Sequence, residues 1–347
     1  MTGLTLPPND SERPTLKTIA GETGLAIATV SRALKDAPDI GEETKKRVRE
    51  AAERLGYRPN RAGVRLRTGK TNVIALVLSA EADMMSFTSR LLYSIAAELR
   101  GTAYHLVVMP YFNDQNPLDP IKYIVETGSA DGVIINQTKP DDPRVRYLAE
   151  HHFPFATHGR TDMGINHPYY DFDNEAYGRL GAQELAKRGR KRLLLIAPPR
   201  THSYSSHMIT GFAHEAAANG AVFEIASDMT SDDSAEVIER VLAARLLREP
   251  RIDGIVCGST NTAMSVVSAA EGLGLVTGRD YDVVAKEAIP FLSRFRKEII
   301  VIAEDVSRAG CFLARAVMAA IERRAPEEGQ GLEIPVGPVG PQTVEEK

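Results

Sequence analysis

The chain has 347 residues, 43% hydrophobic and 25% charged, with a net charge of −4; this is an ordinary soluble globular composition on a length that suits a small headpiece plus a body of two subdomains. Its two cysteines, Cys257 and Cys311, exclude a disulfide framework, point to a reducing compartment, and have no CxxC neighbour, so both read as core residues. No stretch has the apolar length of a signal peptide or a membrane span, so a cytoplasmic protein with no membrane partner is expected.

The charge is unevenly spread. Residues 13–70 carry 14 lysines and arginines against 7 acids, a surplus of seven, while residues 71–347 carry a deficit of nine. A basic end on an acidic body fits a nucleic-acid face on a body that does not itself attract phosphate. Residues 1–13 are read as a disordered N-terminus and 14–59 as the headpiece.

Thr15 is placed to cap a short helix with Leu16, Ile19 and Ala20 on one face. Gly24 ends it, and a second helix begins near Ala26. Val30, Ala33 and Leu34 share its inner face, which leaves Ile27, Ala28, Ser31 and Arg32 pointing elsewhere. Two short helices joined by a glycine turn form a helix-turn-helix, whose second helix enters the major groove. A third helix follows from Gly41, with Val48, Ala51, Ala52 and Leu55 as its stripe and Gly56 as its stop.

The run T-L-K-x-I-A-x-x-x-G-L-x-x-x-T-V-S-R-x-L, followed by E-E-T-x-x-R-V-x-x-A-A-x-x-L-G-Y-x-P-N, resembles the LacI/GalR family of bacterial transcription regulators over nearly the whole headpiece. The resemblance implies that Ile27, Ala28 and Arg32 are the base-reading positions. Arg32 suits a guanine edge, which accepts a bidentate pair of hydrogen bonds, and the two apolar residues suit thymine methyls. Thr15, Thr29, Ser31 and Tyr57 join the expected DNA-binding set, with Thr29 and Ser31 in reach of phosphates. The same resemblance makes residues 60–70 a hinge helix lying in the minor groove, with Asn60, Arg61 and Leu66 on the DNA and Leu66 as the wedge. Gly63 departs from the helix former usual there, at about 1 kcal/mol against alanine. A plain linker is the competing reading of that segment.

From Asn72 onward the chain alternates short β-rich runs with amphipathic helices. Val73–Leu78, Leu106–Met109, Gly132–Ile135 and Phe155–Thr157 read as buried parallel strands, and a second set begins at Arg192–Ile196. The expected fold class is therefore an all-α helix-turn-helix headpiece plus an α/β body of two doubly wound parallel-sheet subdomains, periplasmic-binding-protein-like. The resemblance implies crossings near Arg160–Thr161, Ala303–Asp305 and Ala325. These divide the body (71–347) into an N-subdomain of 71–160 and 303–325 and a C-subdomain of 161–302 and 326–347.

No phosphate-binding glycine loop, dinucleotide fingerprint, HExxH or GxSxG motif is present, so no cofactor, metal or catalytic residue is expected. The adjacent carboxylates Asp141-Asp142 and Glu304-Asp305 read as helix caps rather than acid/base pairs, and the chain reads as no enzyme. In open α/β sheets the ligand lies at the carboxyl ends of the strands. That rule selects Ser79, Glu81, Phe87, Asn136, Arg160, His202, Tyr204, Ser259 and Glu287 as effector-binding residues. Neutral hydrogen-bonding groups with an aromatic wall and one arginine suit a sugar.

This chain departs from the family where ligands are gripped. No arginine lies between His202 and Phe212, Ser259-Thr260 replaces an N-D pair, and Ala285-Lys286-Glu287-Ala288 replaces G-F-D-D. Ligand identity is therefore not carried over. A single helix-turn-helix reads few base pairs, so a homodimer on near-palindromic double-stranded operator DNA is expected. The resulting expectation is a dimeric repressor of sugar uptake or catabolism genes, released by a small carbohydrate effector. A nucleobase-type corepressor, or a sugar-binding α/β protein with an incidental basic N-terminus, are the alternatives.

Overall fold

A computed structural model describes residues 14–57, 69–80, 87–112 and 114–338 of the chain. The expected disordered N-terminus, most of the hinge with Asn60, Arg61, Gly63 and Leu66, and Glu81 lie outside the described residues. The chain divides into two compact units, Met1–Thr71 and Asn72–Lys347.

The first unit holds α1 (Leu16–Thr23), α2 (Ile27–Ala33) and α3 (Glu42–Arg54). Thr15 caps α1 reciprocally with Thr18, so both ends of that turn are closed. Gly24 takes φ +68°, the left-handed conformation that glycine adopts without strain, and turns the chain into α2. Ile19, Val30, Ala33, Val48, Ala51 and Ala52 form the core. Arg47 donates to the carbonyl of Thr23, so α3 satisfies an orphan group at the end of α1. Lys45 is buried, with its ammonium 2.7 Å from Glu42 and 3.8 Å from Asp36.

The second unit contains two parallel sheets. In the first, β1 (Val73–Ser79), β2 (His105–Tyr111), β3 (Gly132–Ile135), β4 (Phe155–His158), β5 (Tyr169–Phe172) and β11 (Gln330–Glu333) lie in the order β11-β5-β4-β3-β1-β2. In the second, β6 (Arg192–Ile196), β7 (Val222–Ile225), β8 (Gly254–Cys257), β9 (Asp282–Glu287) and β10 (Ile300–Ala303) lie in the order β10-β9-β8-β6-β7. The central strands are apolar on both faces because helices cover both. On the first sheet, α4 (Phe87–Glu98) and α12 (Val306–Ile321) pack on one face through Leu91, Ile95 and Leu313. On its other face, α5 (Asp119–Thr127) and α6 (Pro143–Glu150) pack through Ile121, Ile124, Val145 and Leu148. On the second sheet, α7 (Asn174–Lys187) and α8 (Ser203–Ala218) cover one face. The other face is covered by α9 (Ala235–Leu246) and α10 (Thr260–Gly272). A short α11 (Leu292–Phe295) precedes β10.

Two subdomain boundaries differ from the expected ones. Tyr169 pairs with Thr157 and Tyr170 with His158, so β5 belongs to the first sheet and the chain crosses after Phe172, not at Arg160–Thr161. Gln330–Glu333 pairs with β5 in that same sheet, so the chain does not leave it at Ala325. It reaches the second sheet only where Pro338 bridges Ile302. The middle crossing runs through Glu304 and Asp305, between β10 and α12. The resemblance that gives the expected crossings does not place β5 (Tyr-Tyr-Asp-Phe), which is four residues long and too polar to show a strand period in the sequence.

Candidate functional sites

In the first unit, α2 presents the expected reading positions outward. Ile27 is 48% exposed, against 0% for Val30 and Ala33 on the opposite side of the same helix. An isoleucine half open to solvent on a helix with a packed inner face is a contact surface. Ala28 and Arg32 are also exposed, and Thr29 and Ser31 are half-buried beside them. The Arg32 guanidinium pairs with Asp39. Thr15 is committed to capping α1, and Tyr57 is half-buried against the headpiece core, where burial pushes its phenol pKa up.

In the second unit, a cavity of about 660 Å³ opens at the carboxyl ends of the strands of both sheets. Asn136 and Gln137 reach it after β3, His158 at the end of β4 and Asp171 from β5. Pro198 follows β6, Gly258 and Ser259 follow β8, Lys286 is the last residue but one of β9 and Glu304 follows β10. Phe87 and Thr88 at the start of α4 close one side. Asp232, Asp233 and Ser234 ahead of α9, with Ile238 and Glu239 in it, close another.

The cavity wall has an electrical character that the sequence did not make plain. Thr88 Oγ1, Asn136 Oδ1 and His158 Nε2 are buried and find no hydrogen-bond partner among the described residues. Thr88 and Asn136 are 1% and 3% exposed, so a ligand hydroxyl is the natural complement to each. Burial lowers the pKa of His158, so at neutral pH it is an uncharged imidazole, edge-on to Phe87 with ring centroids 5.2 Å apart. Lys286 Nζ lies 3.0 Å from Glu304 and 3.3 Å from Asn174 Oδ1, and 5.0 Å from the Phe172 ring centre. It ties β9 to the segments on both sides of it.

Of the nine expected effector residues, the cavity brings together Phe87, Asn136, Tyr204 and Ser259. Arg160, Glu287, His202 and Ser79 do not border it. Arg160 turns to Asp171, with Nε 2.7 Å from the carboxylate. Glu287 accepts from the backbone N–H groups of Phe291 and Leu292, so it caps α11 instead. His202 stacks behind Tyr204, with ring centroids 5.2 Å apart and planes 6° from parallel. Burial, reinforced by Lys139 and Arg144, pushes the His202 pKa down to about 4. Ser79 is buried at the end of β1. The wall thus has a lysine where an arginine was expected, and carboxylates where neutral groups were expected. The members that the strand-end rule does not reach are Thr88, Asp171, Asn174, Asp232, Asp233, Glu239 and Glu304, whereas Lys286 belongs to the strand-end pair Lys286-Glu287 that it does reach. The carboxyl pair ahead of the Ser234 cap was a usable signal; Asp171 and Asn174 depended on the missed β5.

The loop carrying Asn136 is held by a buried ion pair. Arg144 donates to Asp142 at 2.8 and 3.0 Å and to the carbonyls of Asn136 and Gln137, both at 3.0 Å. Asp142 caps α6 as expected of a carboxylate there, and Asp305 likewise caps α12. Among the described residues no cluster suits a metal ion, and no helix is long and apolar enough to cross a membrane.

Residues 15–60 match the family model of the bacterial regulatory proteins, lacI family. Residues 71–321 match that of the periplasmic binding proteins and sugar binding domain of LacI family. The HTH-type transcriptional regulator AglR of Rhizobium meliloti (strain 1021) is 30% identical over 316 residues, 88% of this chain and 87% of that protein. The HTH-type transcriptional regulator RafR of Escherichia coli is 36% identical over 191 residues, 54% of this chain and 56% of that one. In fold, the chain is similar to the lac repressor dimer bound to operator and the anti-inducer ONPF, with a TM-score of 0.80 at 20% identity over 95% of this chain and 99% of that one. It is also similar to the transcriptional regulator CelR in its cellobiose complex, with a TM-score of 0.66 at 22% identity over 92% of this chain and 97% of that one.

Proposed function

Because the chain belongs to the LacI family of bacterial regulatory proteins, and is thus a DNA-binding transcriptional regulator and not an enzyme, we propose that it is a dimeric repressor of sugar-uptake or sugar-catabolism genes. A small carbohydrate in the body's cavity weakens its hold on a near-palindromic operator. The observation that carries the sugar reading is the pair of fully buried, unpartnered acceptors or donors at Thr88 and Asn136, set beside the flat ring of Phe87. Sugar rings offer hydroxyls for such groups and an apolar face for such a ring. A structural relative solved with cellobiose agrees with this class of ligand.

On the DNA side, Ile27, Ala28 and Arg32 read bases while Thr29 and Ser31 touch phosphates. Thr15 and Tyr57 complete the proposed DNA-contacting set, beside their parts in the α1 cap and the headpiece core. Asn60, Arg61 and Leu66 retain their assignment as hinge contacts, with Leu66 as the minor-groove wedge. The effector acts only if it binds the two states of the body with different affinity, and the coupling is reciprocal.

The test is a mobility-shift titration of the full chain on a duplex selected from a randomised palindrome library, at several salt concentrations, with and without sugars. Sequence-specific binding by a dimer, falling steeply with salt and relieved by one sugar class, is expected. Specific binding that no sugar alters, or binding strengthened by a sugar, refutes release by a carbohydrate. Absence of any sequence-specific shift refutes the regulator as read.

A further inference from the structure

The cavity's charge deepens the carbohydrate reading and rests on it. Among the described residues, five carboxylates border the cavity, from Asp171, Asp232, Asp233, Glu239 and Glu304, against a single ammonium, Lys286. That ammonium is already paired with Glu304. Counting Arg160, which meets Asp171, the wall still carries three more negative than positive charges. We propose that the effector is an uncharged sugar of about two rings, and that the carboxylate wall rejects phosphorylated and carboxylated sugars.

Three observations converge on this class. The first is an anion site filled from within. The N-terminus of α9 reaches the cavity through Ser234 and Ala235. A helix N-terminus there would ordinarily welcome a phosphate. Here Asp232 and Asp233 precede it, Glu236 lies in its first turn, and Ser234 Oγ accepts from Val237 N. Ser234 Oγ thus takes one of the helix's first-turn amides, while Asp233 accepts from Thr230 and Asp232 from Ser231, so carboxylates already stand around the helix's positive end. The N-terminus of α10 also arrives, but Ser259 Oγ accepts from Thr262 N, and hydroxyl and amide groups of Thr260 and Asn261 stand beside it. Those groups match hydroxyls better than a double negative charge.

The second observation is the hydrogen-bond demand. Carboxylates are acceptors only, so they are complementary to ligand O–H donors, and a carboxylate takes two vicinal hydroxyls at once. Thr88 and Asn136, buried and unpartnered across the cavity, supply neutral partners for the same ligand. A phosphate there would face carboxylates with no proton to share, and like charges brought together at an interface cost several kcal/mol.

The third is size. A drug-sized ligand fills a site of about 300–1,000 Å³, and this cavity measures about 660 Å³. It spans from Phe87 to Met264 and Ser268, so one ring leaves part of the wall uncovered. Specificity of this kind rests on a repulsive element as much as on attraction.

Thermal-shift and calorimetric titrations of the full chain test the inference. The probes are glucose and galactose, the disaccharides cellobiose, maltose, melibiose, sucrose and trehalose, and the 6-phosphate of whichever disaccharide binds. At least one neutral disaccharide should bind, more tightly than its component monosaccharides. Its 6-phosphate should bind roughly tenfold more weakly or worse. In D232N/D233N, which keeps an acceptor oxygen for the Thr230 amide, that gap should narrow about tenfold; E239Q provides a second variant should the first fail to fold. A 6-phosphate that binds as tightly as the neutral sugar, a gap unchanged in folded variants, or a monosaccharide that matches the disaccharide overturns the inference while leaving a sugar effector in place. A chain whose melting responds to no sugar of either kind overturns the carbohydrate reading itself.

Discussion

At the scale of single residues, the pairing of Arg32 with Asp39 sets two free energies against each other. Both side chains are open to water, at 57% and 45% exposure, so the pair is worth about 0–1 kcal/mol and is weakened by salt. A bidentate contact from arginine to guanine discriminates by about 1–3 kcal/mol. If Arg32 reads a base as proposed, the base therefore wins and Asp39 is a minor competitor for the guanidinium. Arg32→Ala should cost about 1–3 kcal/mol on the selected operator and flatten the preference at one base pair of each half-site. Arg32→Lys should not restore that preference, because an ammonium cannot make the forked contact. Asp39→Ala should change affinity by less than about 1 kcal/mol, toward tighter binding. Mobility-shift titrations on the operator and its single-base variants measure all three. A loss from Asp39→Ala as large as that from Arg32→Ala would show the acid to be part of the reading surface.

At the scale of elements, α7 and α8 approach each other closely through two glycines. A methyl group on Gly211 would stand 1.9 Å from the carbonyl oxygen of Glu175, and one on Gly178 would stand 2.2 Å from that of Met208. The two backbones touch where both helices lack side chains, and neither obstacle can rotate away. Gly211→Ala should therefore separate the helices and destabilise the body by about 1–3 kcal/mol or more, read as a lower midpoint in urea. Gly220→Ala in a nearby turn is a useful contrast: its methyl meets nothing within 4 Å, and its cost is that of φ +67° alone. Helix and strand alternation was legible because each apolar run had the length and period of its element. β5 was not, since four half-polar residues carry no period, and without it Asp171 and Asn174 stay hidden. Arg144 shows another limit. Its charge reads as solvent-facing in sequence, yet it is 2% exposed and fastens the loop that carries Asn136, an arrangement made by contacts eight residues back along the chain and by Tyr111. Arg160 and Glu287 were placed correctly at strand ends, but a strand end has two sides, and the sequence does not say which one a side chain takes.

At the scale of the whole molecule, the two units have unequal means of staying folded. The headpiece core comprises Ile19, Val30, Ala33, Val48, Ala51 and Ala52, three of them alanines. The body has apolar clusters on both faces of both sheets. Small cores give marginal stability, because the fraction of surface buried rises with size. Scanning calorimetry of the full chain should therefore resolve a small, low-temperature transition from the headpiece and a larger one from the body. On the proposed reading each ligand binds one unit, so each should move one transition. A disaccharide at 100 times its dissociation constant adds about 2.7 kcal/mol to the unit that binds it, and without DNA the larger transition alone should rise. Operator DNA should raise the smaller one. With both present the shifts should no longer be independent: if operator binding weakens the sugar by about 5- to 150-fold, the coupling is about 1–3 kcal/mol. The sugar must then weaken the operator by the same factor. Equal shifts of both transitions by sugar alone would mean that the headpiece melts with the body as one cooperative unit. In that case the effector would control the stability of the DNA-binding unit itself, rather than the equilibrium between two folded states of the body.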